Sequence, residues 1–149
     1  MSEKKKLTAR QYLEQLQMID IQINQDIERL SEMKHSALST GGIDYSRERV
    51  QTSPVGDKIG TDVTRYMTFN DEINAEIDRF VDAKEQIIRE IRELRDINYV
   101  QVLYKVYVQF KSLRVASEEM KKSYRYVIQI HNDALRVFEK TYQNLHYII

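Results

Sequence analysis

The chain has 149 residues with 31% charged residues, four Gly, one Pro and no Cys, a composition typical of long helices and not of a turn-rich sandwich or barrel. The absence of Cys excludes disulfides and thiolate metal sites. The formal net charge is zero, but residues 1–99 carry 15 Lys or Arg and 19 Asp or Glu, whereas residues 100–149 carry 8 and 4. The basic C-terminal part is therefore the candidate for a polyanionic partner.

The absence of Cys makes the cytoplasm the expected compartment, and the N-terminus and the hydropathy pattern agree with that expectation. Residues 1–6 are charged and no apolar stretch follows them, so we expect no signal peptide. The sequence contains no run of about 18 apolar residues, so we expect no membrane span and no membrane partner.

The first predicted helix begins at a capping box formed by Thr8 and Gln11, in which each side chain bonds the backbone N–H of the other residue. Apolar residues then follow at steps of three and four, which places them on one helix face. This stripe contains Tyr12, Leu16, Ile19, Ile23, Ile27 and Leu30. Residues 39–56, with Gly41-Gly42 and Ser53-Pro54, interrupt the pattern and predict a polar connector.

The second predicted helix begins at Pro54 or a few residues later, with Ser53 or Asp57 as its N-cap. Its apolar seam is a heptad pattern of about five repeats. Asn70 and Lys84 interrupt this seam at equivalent positions, where they either fix register or partner number, or lie at a solvated edge. The seam contains Ile59, Val63, Tyr66, Asn70, Ile73, Ile77, Phe80, Lys84, Ile87, Ile91 and Leu94.

The connector is long enough for the two helices to pack antiparallel, so residues 1–98 are predicted to form a long helical hairpin, or antiparallel coiled coil. We expect the helices to measure roughly 40 and 60 Å at 1.5 Å per residue. Part of the second seam would then need another cover, either the C-terminal module or a second copy. The sequence therefore predicts a homo-oligomer.

Residues 99–149 are predicted to form a small helical module. Asp96 or Asn98 caps a third helix, which contains Tyr99, Leu103, Val106, Tyr107 and Phe110. A short helix at 113–120 and a joint at 121–123 follow, and Ser123 caps the last helix. The inner face of that last helix is predicted to contain Val127, Ile130, Ala134 and Phe138.

This order of elements is the plan of a helix-turn-helix. The close crossing of its two helices needs a small residue in the first, here Ser117, and an apolar residue before the joint, here Met120. Lys121 stands where Gly usually provides left-handed backbone, at a cost of about 1 kcal/mol. Lys122 replaces an apolar residue, so two positions depart from the plan.

The C-terminal sequence resembles the end of region 4 of bacterial sigma factors. The resemblance lies in Ser-Tyr-Arg-Tyr-Val at 123–127, Ile-His at 130–131 and Ala-Leu-Arg-Val-Phe at 134–138. Nearly the whole chain resembles more closely a family of small phage and prophage proteins of Gram-positive bacteria, similar to late-gene transcription activators of the RinA/ArpU kind. That second resemblance also rests on residues 12–15, 20–24, 49–53, 56–58 and 72–79.

The resemblance implies sequence-specific binding to double-stranded DNA in transcription. Major-groove recognition uses the N-terminal end of the second helix of the motif. The candidates for base contacts are Tyr124, Arg125, Ile128, Gln129 and Asn132, because Arg pairs with guanine and Gln or Asn with adenine. The candidates for phosphate contacts are Lys111, Arg114, Lys121 and Lys122. The alternative is that these residues form a solvated polar face.

No pattern of catalytic residues, metal ligands or phosphate-binding glycines indicates an enzyme or a cofactor. His35, His131 and His146 are scattered and are best interpreted as surface or groove histidines. The sequence therefore predicts a transcription regulator of a phage or prophage, acting in the bacterial cytoplasm. The hairpin would mediate self-association or contact another protein such as RNA polymerase. The alternative is a coiled-coil structural or adaptor protein whose helix-turn-helix does not bind DNA.

Overall fold

The computed structural model describes residues 5–42 and 53–148, and the side chains of residues 5–36 and 64–148. It contains α1 (Ala9–Gly42), α2 (Ser53–Arg92), α3 (Ile97–Leu103), α4 (Leu113–Met120) and α5 (Tyr124–Thr141). A single π-helical turn, Tyr104–Val108, directly continues α3. The described ranges contain no strand, so the predicted all-α class is confirmed, and the order of elements agrees with a helical hairpin followed by shorter helices.

Packing divides the chain into two compact units. The first unit contains Met1–Ile21 and Phe80–Ile149, and the second contains Gln22–Arg79. The first unit therefore joins the start of α1 and the end of α2 to the C-terminal helices. The predicted division into residues 1–98 and 99–149 is based on where the heptad pattern of the sequence gives way to short helices. The two compact units are instead defined by which residues pack together.

Within the first unit, α1 and α2 run antiparallel. The Tyr12 hydroxyl donates a hydrogen bond to the Glu90 carboxylate, and Lys84 Nζ lies 3.1 Å from Asp20 Oδ1. Asp20 follows Tyr12 along α1, whereas its partner Lys84 precedes Glu90 along α2, so the two helices run in opposite directions. The capping box at the start of α1 is also confirmed, because Thr8 N and Gln11 N each bond the other side chain, at 3.0 and 3.2 Å.

The described part of the α2 seam agrees with the predicted heptads. Ile73, Phe80, Ile87 and Ile91 are buried. The other members with described side chains are half-buried, namely Tyr66, Asn70, Ile77, Lys84 and Leu94. The predicted members Ile59 and Val63 lie outside the residues whose side chains are described. Lys84 is neutralised by Asp20, so this polar interruption is an ion pair between helices of the same chain.

The stripe predicted for α1 is wrong at one position. Ile27 is 52% exposed, whereas Asp26 is 5% exposed and takes the inward place. Continuing the alternation of steps of four and three beyond Ile23 leads to Asp26, and a further step of four leads to Leu30. The predicted stripe instead takes two consecutive steps of four, from Ile19 to Ile23 and on to Ile27, which moves the last residue away from a straight seam.

The long helices also extend into the predicted connector at 39–56. α1 reaches Gly42 and α2 begins at Ser53, so their 34 and 40 residues correspond to about 51 and 60 Å. The difference in length is therefore smaller than predicted. Residues 43–52 of the predicted connector lie outside the described ranges.

The C-terminal part of the seam is covered by the chain itself. Phe138 of α5 is fully buried, and its ring centroid lies 5.7 Å from that of Tyr12 and 4.8 Å from that of Tyr142. The Tyr142 hydroxyl bonds the Glu90 carbonyl at 3.0 Å and the Glu93 carboxylate at 2.8 Å. Burial is the main cause that raises the pKa of the Glu90 carboxyl above its usual value in this cluster.

The C-terminal tail returns to the start of α1. Leu7 N donates to the Leu145 carbonyl at 2.8 Å, and Ile148 N donates to the buried amide oxygen of Gln15 at 3.0 Å. Leu145 is itself buried. The apolar tail therefore docks within the first compact unit, where it ties the two ends of that unit together.

Candidate nucleic-acid interface

The helix-turn-helix is formed by α4, a three-residue turn and α5, with the bounds that the sequence predicted. Ser112 caps α4 through its bond with Val115 N, and Ser123 caps α5 through its bond with Tyr126 N, both at 3.2 Å. Each serine satisfies a backbone donor that the first turn of a helix leaves free. The two caps therefore fix where each helix begins.

Lys121 forms the turn between α4 and α5. Its backbone is left-handed, with φ 57° and ψ 42°, as its position in the motif predicted. Lys121 N bonds the Glu118 carbonyl at 3.2 Å and Lys122 N bonds the Ser117 carbonyl at 3.1 Å. These are the two bonds of a Schellman motif, which satisfies carbonyls at the end of α4. The bonds stabilise a backbone that costs a lysine about 1 kcal/mol.

Small and apolar residues bring α5 close to α3 and α4. Ala116 is fully buried and Ser117 is 5% exposed, with its hydroxyl bonded to the Arg114 carbonyl at 2.6 Å. The predicted inner face of α5 is confirmed, because all four of its members are buried: Val127, Ile130, Ala134 and Phe138. The Met120 side chain is half-buried at the end of α4.

Burying this face leaves the N-terminal end of α5 with a polar exposed surface. Of the predicted base-contacting residues, Arg125, Gln129 and Asn132 are exposed and Tyr124 is 41% exposed. Ile128 is half-buried, so only part of its side chain is accessible. Arg125, Gln129 and Asn132 lie at spacings of four and three, which places them on one helix face.

The predicted phosphate-contacting residues divide into three exposed cations and one that is already paired. Arg114, Lys121 and Lys122 are exposed. Lys111 Nζ instead lies 2.6 Å from Glu119 Oε1, which also lies 2.8 Å from Lys105 Nζ. Hydrogen bonds from Lys105 and then Lys111 lower the pKa of the Glu119 carboxyl, so the carboxylate is favoured between these cations.

Two of the exposed cations lie over tyrosine rings. The guanidinium carbon of Arg114 is 4.7 Å from the centroid of Tyr124, and Lys122 Nζ is 5.4 Å from the centroid of Tyr126. Both distances are within the range of cation–π attraction. Sequence reasoning did not include Tyr126 in the site, although its position one residue after Arg125 and close to Lys122 was a possible signal.

The prediction of a surface or groove position is wrong for His131, which is 3% exposed. Its Nε2 lies 2.8 Å from the Tyr107 hydroxyl, and the two rings are stacked at 17°. Burial lowers the pKa of His131, which favours the neutral ring. The histidine is a core residue joining α5 to the π-helical turn, so α5 is anchored opposite to its exposed face.

Within residues 5–42 and 53–148, no group of three or more His, Asp or Glu side chains lies in a position to hold a metal ion. The same ranges contain no helix with the length and apolar character needed to cross a bilayer. Comparison of the chain with protein-family models, curated proteins and solved structures found no match. The candidate interface therefore rests on its own geometry and charge.

Proposed function

We propose that this protein is a DNA-binding transcription regulator of a phage or prophage, of the sigma-region-4-like type, that acts in the cytoplasm of the bacterial host. The α5 helix would enter the major groove of double-stranded DNA. Arg125, Gln129 and Asn132 would contact base edges, with Tyr124 and the accessible part of Ile128 beside them. Arg114, Lys121 and Lys122 would contact phosphates, with Lys111 as a further contact if it is released from Glu119.

The observation that carries this proposal is the turn between α4 and α5. Lys121 adopts left-handed backbone without Gly, and the two bonds of the Schellman motif surround it. The same turn leaves Lys121 and Lys122 exposed beside the exposed N-terminal end of α5. A helix end with polar side chains capable of base recognition, flanked by cations, suits a polyanionic duplex.

We further propose that the hairpin serves self-association or contact with another protein, for which RNA polymerase is the candidate. The second compact unit exposes large apolar side chains of Ile27, Met67 and Phe69, at 52%, 59% and 42%. Exposed apolar residues on a long helical element favour a protein partner. A homo-oligomer would give sedimentation at more than the monomer mass at tens of micromolar, whereas a strictly monomeric protein would contradict it.

The alternative is a coiled-coil structural or adaptor protein without DNA affinity. The observation that favours it is the pairing of Lys111 and Lys105 with Glu119, which removes two cations from the free basic surface. On that interpretation the remaining cations form a solvated face, and the hairpin is the functional element.

Selection of bound sequences from random duplex DNA, followed by titration of the selected duplex at several salt concentrations, tests the proposal. We expect one enriched sequence and an affinity that falls steeply with salt, because phosphate contacts release counterions. A variant with Arg79→Ala on the exposed side of α2 is the matched control, and should bind normally. Absence of duplex affinity at low salt would refute DNA binding and favour the adaptor.

A further inference from the structure

Two tyrosines at the start of α5 have surfaces that neither the core nor the helix cap uses. Tyr124 and Tyr126 are 41% and 44% exposed, and they flank Arg125 on the chain. Neither hydroxyl contributes to the capping of α5, for which Ser123 provides the acceptor. Their rings instead lie beneath Arg114 and Lys122, at 4.7 and 5.4 Å from the centroids.

The two pairs join different parts of the helix-turn-helix. Arg114 is the second residue of α4 and Tyr124 is the first of α5, so this pair connects the N-terminal ends of the two helices. Lys122 belongs to the turn and Tyr126 to the first turn of α5. Both cations are consequently held beside the end of α5 that carries Arg125.

We propose that Tyr124 and Tyr126 are positioning residues that hold Arg114 and Lys122 ready for the phosphates of the DNA backbone. This inference rests on the proposed DNA-binding function. A free Arg or Lys side chain loses rotamer entropy when it is fixed. A cation already held over a ring loses less on binding, so part of that cost is removed before DNA arrives. Arg114 and Lys122 remain exposed in these pairs, so a phosphate oxygen can reach them.

A positioning role and direct contact of the tyrosines with DNA predict different results. A positioning residue acts only through its cation, so its replacement should have no effect once that cation is absent. It also carries no charge, so its loss should leave the number of released counterions unchanged. Loss of the cation itself should reduce the slope of log affinity against log salt by about 0.9.

The test is a double-mutant cycle of Lys122→Ala and Tyr126→Leu, measured as affinity for the selected duplex over a range of salt. We expect Tyr126→Leu to weaken binding about two- to five-fold with an unchanged salt slope, which is the range of an exposed cation–π pair. Tyr126→Phe retains the ring and should bind like the wild type. In the Lys122→Ala background, Tyr126→Leu should have no further effect.

The same cycle with Arg114→Ala and Tyr124→Leu tests the second pair, where an effect of Tyr124→Leu that persists without Arg114 would assign Tyr124 to the base-contacting residues instead. Tyr147→Leu, at an exposed tyrosine of the tail, is the control for loss of an exposed ring. Equal thermal melting of the variants will exclude unfolding as the cause. Additive effects within each cycle would overturn the positioning role while DNA binding stands. Absence of duplex binding by the wild type would overturn both proposals.

Discussion

In α2 the inward residues recur every three or four positions along a single helix, whereas the C-terminal module divides its core among three short helices joined by tight turns. Each joint in this part of the chain has a non-Gly residue with positive φ: Arg95 at 67° after α2, Phe110 at 57° before α4, and Lys121 at 57° after it. A left-handed residue other than Gly costs about 1–2 kcal/mol. The joints of the module therefore adopt backbone conformations that their residues disfavour, whereas a long heptad helix needs no such conformation.

The compensation comes from packing. Five residues of α5 are buried, and α5 packs against both α3 and α4. In the second compact unit, by contrast, Ile73 and Asp26 are buried, while Ile77 is only half-buried. Burial and local strain are thus both greater in the C-terminal module than in the part of the hairpin that forms the second compact unit, and the following predictions test that comparison.

The largest expected effect is on the stability of the module. Ile130→Ala removes a side chain that is 4% exposed in α5, and should lower the free energy of unfolding by about 2–5 kcal/mol because a cavity remains. The matched change in the hairpin, Ile77→Ala, should cost roughly half as much because its side chain is already partly solvated. Urea unfolding followed by circular dichroism measures both. Equal losses would contradict the contrast between the two regions.

Local signals explain how much of this comparison could be predicted from the sequence. The bounds of α4 and the start of α5 were predictable, because Ser112 and Ser123 are caps and a helix-turn-helix limits the length of the turn. The left-handed backbone of Phe110 and the contact between Tyr107 and His131 were not, because they depend on packing between residues distant along the chain. Phe110, predicted as part of the third helix, lies beyond the π-helical turn and is 42% exposed.

The same limit applies to the candidate site. The exposure of Arg125, Gln129 and Asn132 follows from helical periodicity once the inner face of α5 is known. The ion pair between Lys111 and Glu119 does not follow from helical periodicity, because it requires the chain after the π-helical turn to lie beside α4. Periodicity thus identifies which side chains point outward, and only tertiary packing determines which of these charges are already paired.

The next largest expected effect is on DNA affinity, which we expect to depend on the module and not on the hairpin. Arg125→Ala and Gln129→Ala should each cost about 1–3 kcal/mol on the selected duplex and relax the preference for the base they contact. Lys121→Ala should weaken binding to every sequence and reduce the salt slope by about 0.9. Competition with duplexes changed at single base pairs separates these patterns. Equal losses on all duplexes for the Arg125 variant would contradict a base contact.

A smaller effect is expected in the seam of the hairpin. Asp26 is 5% exposed; its Oδ1 accepts a bond from Arg29 at 3.2 Å, and its Oδ2 is buried without a hydrogen-bond partner. Replacing such a carboxylate with an apolar side chain of similar size removes the cost of its desolvation. Asp26→Leu should therefore raise the free energy of unfolding by about 1–2 kcal/mol.

Asp20→Leu is not a suitable control for this change, because Asp20 is half-buried and pairs with Lys84. Glu28→Leu, on the exposed side of the same helix, is better matched, and should change stability by less than about 0.5 kcal/mol. A loss of stability in the Asp26 variant would mean that the inward position of α1 needs its carboxylate.

The smallest expected effect concerns the strain at the joints. Lys121→Gly relieves left-handed backbone of about 1 kcal/mol or more, but Gly also gains entropy in the unfolded chain, which offsets part of that relief. We expect a net gain of about 0.5 kcal/mol, and a similar gain for Arg95→Gly, whose φ is also positive. Lys122→Gly, at the neighbouring position without positive φ, should instead lose stability, because it has the entropic cost of Gly without any relief of strain and also removes the contact with the Tyr126 ring. Chemical denaturation of the three variants provides the comparison. If Lys121→Gly and Lys122→Gly change stability in the same direction, the left-handed turn is not strained, and packing in the module opposes no local preference at that joint.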